Sequence, residues 1–118
     1  KFIGTNADTT LPTEHGLTHG NGAILAALEV ATGVTPTIIG KPEPIIYQQA
    51  LALLGVDPDE TVAIGDRLET DILGAVRTGI RSILVLTGVS TEEDLKAADY
   101  QPTWVMPDIR AVTQALRG

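Results

Sequence analysis

Apolar positions along this chain follow two rhythms, short β-branched runs and longer stretches with helical spacing. Thr61 to Ile64 (TVAI) has the length and branching of a buried strand, and Gly65 lets the chain bend after it. From about Glu69 the spacing becomes helical, with Ile72, Leu73 and Val76 on one face and Gly79 as the stop. Ser82 to Leu86 (SILVL) is the clearest buried strand. Shorter strands are expected at Lys1 to Thr5, Thr37 to Ile39 and Thr103 to Met106. Helices are predicted over Asn21 to Thr32, closed by Gly33, then Ile45 to Leu54, Thr91 to Ala98 and Ile109 to Leu116. Asn6 to Gly22 reads as a long polar loop. Strands alternating with helices imply parallel β-α units with right-handed crossovers, hence an α/β, Rossmann-like parallel sheet with flanking helices.

In such a sheet, ligands bind where the strands end. If all strands share one sheet, one edge gathers Thr5, Asn6 and Asp8, then Lys41, then Asp66 and Asp71, then Thr87 and Gly88. Asp66 follows a strand directly and Asp71 falls in the next helix's first turn, so the two carboxylates suit a hard cation. A second reading keeps Asp66 or Glu69 as a helix cap and Asp71 as a partner of the helix dipole. Lysine with carboxylates suits a phosphoryl group and a magnesium ion: the ammonium neutralises phosphate oxygens and the cation bridges carboxylate and phosphate.

Other motifs carry less chemistry. Gly40-Lys41 lacks the following Ser or Thr and the preceding glycine of a P-loop, and Gly20-Asn21-Gly22 follows a loop and has Leu25 at the third-glycine position. His15 and His19 have zinc-like spacing, but Gly16 and Gly20 oppose a helix and no third ligand is evident. Asp57-Pro58-Asp59 precedes a strand, at the edge opposite Asp66, and reads as a turn.

Composition narrows the picture. The 118 residues are the size of one domain, 43% are hydrophobic and only 3% aromatic, which asks for an aliphatic core. A net charge of -7 argues against nonspecific nucleic-acid or anionic-membrane binding. The absence of cysteine removes disulfides and thiol chemistry and is compatible with a cytoplasmic setting. No apolar run is long enough for a membrane helix. Lys1 already lies in a strand-like segment, which suggests a fragment or a processed sequence.

Taken together, GKPEP, GDRLETD and LVLTGV resemble the haloacid dehalogenase (HAD) superfamily, and FIGTNAD with GNGA narrows the likeness to its sugar-phosphate and 4-nitrophenyl-phosphate phosphatases with a large α/β cap. The likeness runs over nearly the whole chain. It implies that Lys41 is the catalytic lysine stabilising a phosphoaspartyl intermediate, that Asp66 is a magnesium ligand, and that Asp71 helps hold the metal or its waters. It implies a loop-fixing role for Thr70, and makes Asn6 and Asp8 substrate-side residues of the cap. Residues 1–36 correspond to the end of the cap and 37–118 to the C-terminal part of the catalytic core. The family's nucleophilic Asp-x-Asp strand and its phosphate-binding Ser or Thr have no counterpart here, so the 118 residues alone are expected to be inactive. The expected partner is a small phosphorylated metabolite, with a homodimer unsurprising for such a family.

Overall fold

A computed structural model describes all 118 residues, and its hydrogen bonding separates the strands into three sheets. β1 (Ile3–Gly4) pairs in parallel with β4 (Thr37–Ile38), Ile3 opposite Thr37. β2 (Thr10–Thr13) and β3 (Gly16–His19) form an antiparallel hairpin. α1 (Asn21–Thr32) follows and ends on Gly33 in the left-handed conformation, where a residue without Cβ carries no steric cost. These elements pack among themselves.

The rest of the chain forms a second group. α2 (Ile45–Leu54) leads to a short turn at Pro58–Glu60, closed by reciprocal hydrogen bonds of Asp57 and Glu60. β5 (Val62–Gly65), β6 (Arg81–Val85) and β7 (Trp104–Met106) form a parallel sheet in that order. α3 (Leu73–Thr78) connects β5 to β6, while α4 (Glu92–Ala97) and α5 (Ile109–Arg117) complete the set. Thr91 caps α4 and Asp108 caps α5, each by accepting a backbone N–H three residues on.

β6 is the centre of this sheet, and its side chains are buried from Ser82 to Val85. Leu84 meets Leu68 and Ile72 on one face, while Ile83 and Val85 meet Val112 of α5 on the other. The chain is thus α/β with helices on both faces of a parallel sheet, as the alternation of patterns requires. Its radius of gyration is 16.4 Å, above the roughly 13–14 Å of a compact domain of this length. Both core clusters belong to this second group, whereas the only apolar side chain that the first buries is Leu25, and many apolar residues stay exposed, Val30 and Leu53 among them.

The structure departs from the sequence reading in three places. The expected loop over Asn6–Gly22 contains the β2–β3 hairpin, whose eight residues are all exposed and so carry no alternating apolar signal. Gly16, at φ 110°, makes the reversal that a residue with Cβ would resist. The strands do not share one sheet, because β4 pairs with β1 and not with β5. That pairing also crosses residue 36. Finally, α3 begins later than Glu69: a widened turn over Leu68–Ile72 precedes it, with the Arg67 carbonyl accepting from both Asp71 and Ile72.

Leu84 is fully buried on the face of the sheet covered by Leu68 and Ile72. Leu84→Ala is expected to cost about 2–5 kcal/mol of stability, read from urea denaturation, because the hole can collapse only in part.

Candidate functional site

Lys41 stands at the crossing from β4 to α2, with Gly40 against the end of β1, where an added Cβ would overlap the Thr5 carbonyl. Its ammonium donates to Asp71 Oδ1 at 2.5 Å, an ion pair spanning thirty residues of sequence. Asp71 is buried within the widened turn and is fixed from three sides. Its Oδ2 accepts the Arg67 N–H at 3.1 Å, its backbone carbonyl accepts the Tyr47 hydroxyl at 2.9 Å, and its backbone N–H donates to the Arg67 carbonyl. The carboxylate lies directly over Gly65, where any Cβ would collide with it. Gly74 likewise makes room for the Tyr47 ring.

The carboxylate hydrogen bond holds the Lys41 pKa above its ordinary value, against the opposing pull of burial; Asp71 adds to the rise by its charge, with smaller contributions from Tyr47 and Asp66. Lys41 therefore remains a cation throughout the neutral range. Burial raises the Tyr47 pKa, and the nearby Asp71 charge raises it further. This keeps the phenol protonated and able to donate.

Asp66 is held separately, at the end of β5. Its Oδ2 accepts the Val89 N–H at 2.9 Å, and its carbonyl accepts the Ser90 N–H at 3.0 Å. The buried Ser90 hydroxyl in turn accepts the Leu68 N–H at 2.9 Å, so the segment after β6 latches the start of the acidic turn. Gly88 is required there, since an added methyl would overlap the Asp66 carboxylate.

A hard divalent cation takes about six oxygen ligands. Asp66 Oδ1 is in no hydrogen bond and fits as one such ligand. Both Asp71 oxygens already accept hydrogen bonds, which suits that residue to holding Lys41 and ordering water near an ion. No three carboxylate or imidazole side chains gather anywhere in the chain, so the remaining ligands would come from water, substrate or a further polypeptide segment.

A cleft of about 340 Å³ opens beside the ion pair and is lined by Asn6, Asp8, Lys41, Arg67 and Thr70 among others. Asn6 and Asp8 thus share a cavity with Lys41, although they arrive from different sheets. Asn6 Oδ1 accepts the Asp8 N–H at 3.1 Å and shapes the loop, while the Asp8 carboxylate is exposed and unpaired. Thr70 also lines the cleft, and its hydroxyl makes no hydrogen bond. Neither Asp66 nor Asp71 lines this cleft. A larger one, about 500 Å³, is walled by Arg67, Glu69, Ser90, Asp94 and Tyr100, but it contains neither Lys41 nor the two aspartates, so the lysine and carboxylate chemistry lies elsewhere. His15 meets only Glu14 at the exposed hairpin turn.

Sequence reasoning passed over Tyr47, Ser90 and Arg67. A lone phenol in the apolar helix IIYQQALALL, three residues after Pro44, was the available signal for Tyr47. A small polar residue two positions past Gly88 was the signal for Ser90.

Known proteins align with this geometry. The family described as HAD-hydrolase-like matches residues 38–112. The acid sugar phosphatase of Staphylococcus epidermidis is 43% identical over 116 residues, covering 98% of this chain and 45% of the relative. A p-nitrophenyl phosphatase from Archaeoglobus fulgidus superposes with a TM-score of 0.87 at 33% identity, over 98% of this chain and 46% of that one. A glycerol phosphate phosphatase from Mycobacterium tuberculosis, solved in complex with magnesium, superposes at 0.82 with 42% identity, over 94% and 34%. The chain spans less than half the length of these relatives.

Two expectations follow from the ion pair. A lysine whose pKa rises on folding contributes stability that is present below its unfolded value of 10.5 and is lost as pH climbs through the folded value. Urea denaturation should therefore show wild type more stable than Lys41→Met at pH 8, with the gap closing above pH 10.5. Tyr47→Phe removes the hydrogen bond to the Asp71 carbonyl and should cost about 0.5–1.5 kcal/mol in the same measurement.

Proposed function

Because the chain belongs to the HAD-hydrolase-like family, we propose that it forms the lysine and acidic-loop part of a magnesium-dependent phosphatase acting on small phosphate esters. The observation that carries this reading is the Lys41–Asp71 ion pair, set against a cleft of about 340 Å³ with Asp66 at the adjoining strand end. In the complete protein the reaction runs through an aspartyl-phosphate.

Each residue has a distinct task. Lys41 stays protonated at neutral pH and presents a fixed positive charge to phosphoryl oxygens and to the attacking carboxylate. Asp71 and Tyr47 hold that ammonium in place, so its position need not be organised during the reaction. Asp66 would hold the magnesium ion, which when bound neutralises charge on the phosphate oxygens. Asn6 and Asp8 line the same cleft and would meet the organic part of the ester.

The nucleophile must reach the site from outside these elements. Asp57 and Asp59 stand in the turn before β5, at the opposite end of that strand from Asp66. β5 itself is an edge strand, with Val62 39% and Ile64 46% exposed. A parallel strand bearing the Asp-x-Asp pair would dock along that edge and bring its carboxylates to Asp66 and Lys41. The cap is taken to end at residue 36 and the core to begin at 37, with β4 paired to β1 across that point.

The free β5 edge also favours a second reading, a noncatalytic module whose copies pair there, since an unpaired strand edge is a template for association. Solution molar mass separates the two: a stable dimer of the 118-residue chain supports the module. For the phosphatase, the full-length protein is expected to hydrolyse 4-nitrophenyl phosphate with magnesium, and Lys41→Met to lower kcat by about 100-fold or more. The 118-residue chain alone should not exceed the buffer rate. Enzyme-like turnover by that chain would overturn the need for an added carboxylate strand.

A further inference from the structure

Arg67 is the one cation of the cleft with no partner. Its neighbour there, Lys41, is paired with Asp71, whereas the Arg67 guanidinium makes no ion pair and no hydrogen bond. Only its main chain is engaged, and it is engaged firmly: the N–H donates to Asp71 Oδ2 at 3.1 Å, and the carbonyl accepts from Asp71 and Ile72 at 2.9 and 3.2 Å. The backbone that aims this side chain is therefore anchored to the ion pair itself. In a protein of net charge -7, an uncompensated arginine on a cavity wall is a local attraction for anions that the rest of the surface lacks.

Position decides what it would contact. Arg67 is exposed, and it lines the same cleft as Lys41 and as Asn6 and Asp8, which come from the other group of elements. A phosphate ester with its phosphoryl group at Lys41 would extend its organic part toward Arg67. The planar guanidinium offers two parallel N–H donors, which match a carboxylate or a second phosphate and have no counterpart on a neutral group.

We infer that Arg67 is a specificity residue that contacts a second anionic group, on the organic part of the substrate, and so favours phosphate esters carrying a carboxylate or another phosphate. This rests on the phosphatase reading above for the placement of the phosphoryl group.

Equilibrium binding tests it without turnover. Phosphonoacetate carries a phosphonate and a carboxylate, and methylphosphonate carries the phosphonate alone. In calorimetric titrations of the full-length protein, wild type should bind phosphonoacetate the more tightly. Arg67→Gln should weaken phosphonoacetate about tenfold more than methylphosphonate, and Arg67→Lys should fall between, keeping charge without the fork. In turnover, the ratio of kcat/KM for a carboxylate-bearing phosphate ester to that for 4-nitrophenyl phosphate should drop by a similar factor in Arg67→Gln. Equal loss for both probes would assign Arg67 to the phosphoryl group, and no loss would leave it to Glu69 and Asp94 of the neighbouring cleft; either result overturns the inference. Probe discrimination without any hydrolysis by wild type would overturn the phosphatase reading and leave Arg67 as an anion contact. Failure to bind either probe would overturn both.

Discussion

The contact between Lys41 and Asp71 is the constraint on which the site depends. Asp71 is buried, and a buried carboxylate must be paired and hydrogen-bonded or it destabilises the fold. Lys41, Arg67 and Tyr47 together meet that demand. Lys41 is about half exposed and lines the cleft while its ammonium is held by Asp71. Removing either partner would leave a charge without its counterpart and a lysine without a direction.

The acidic turn is held as much by apolar packing as by polar bonds. Leu68 and Ile72 are its buried anchors against Leu84 of the central strand, four residues apart, with Asp71 between them turned the other way. Widening the turn lets two hydrophobic anchors and one carboxylate reach opposite partners from adjacent positions. Ser90 and the Val89 N–H then tie this turn to the end of β6. The close approach of both carboxylates to backbone is why glycine stands at 65 and 88. At either place a side chain would occupy the volume of an aspartate.

Much of the remaining surface is unfinished in a physical sense. β5 has a neighbour on one side only, and apolar side chains of α1 and α2 face water. The relatives that this chain matches are more than twice its length.

Local pattern alone determined a good deal of this protein. The helices from Asn21 to Thr32 and Ile45 to Leu54, the caps at Thr91 and Asp108, and the buried run after Ser82 were legible because short-range periodicity and capping write them directly. Lys41, Asp66 and Asp71 could be picked out because each stands where an apolar run gives way to a polar junction. Which strands pair was a matter for tertiary structure: β1 and β4 lie thirty-four residues apart in register, and no local signal distinguishes β5 from β1 as the partner of β4. The hairpin was hidden because neither of its faces is buried. The engagement of Asp71 by Lys41, Tyr47 and Arg67, and the isolation of the Arg67 guanidinium, arise from contacts between distant segments. Only the packed chain brings those segments within hydrogen-bonding distance.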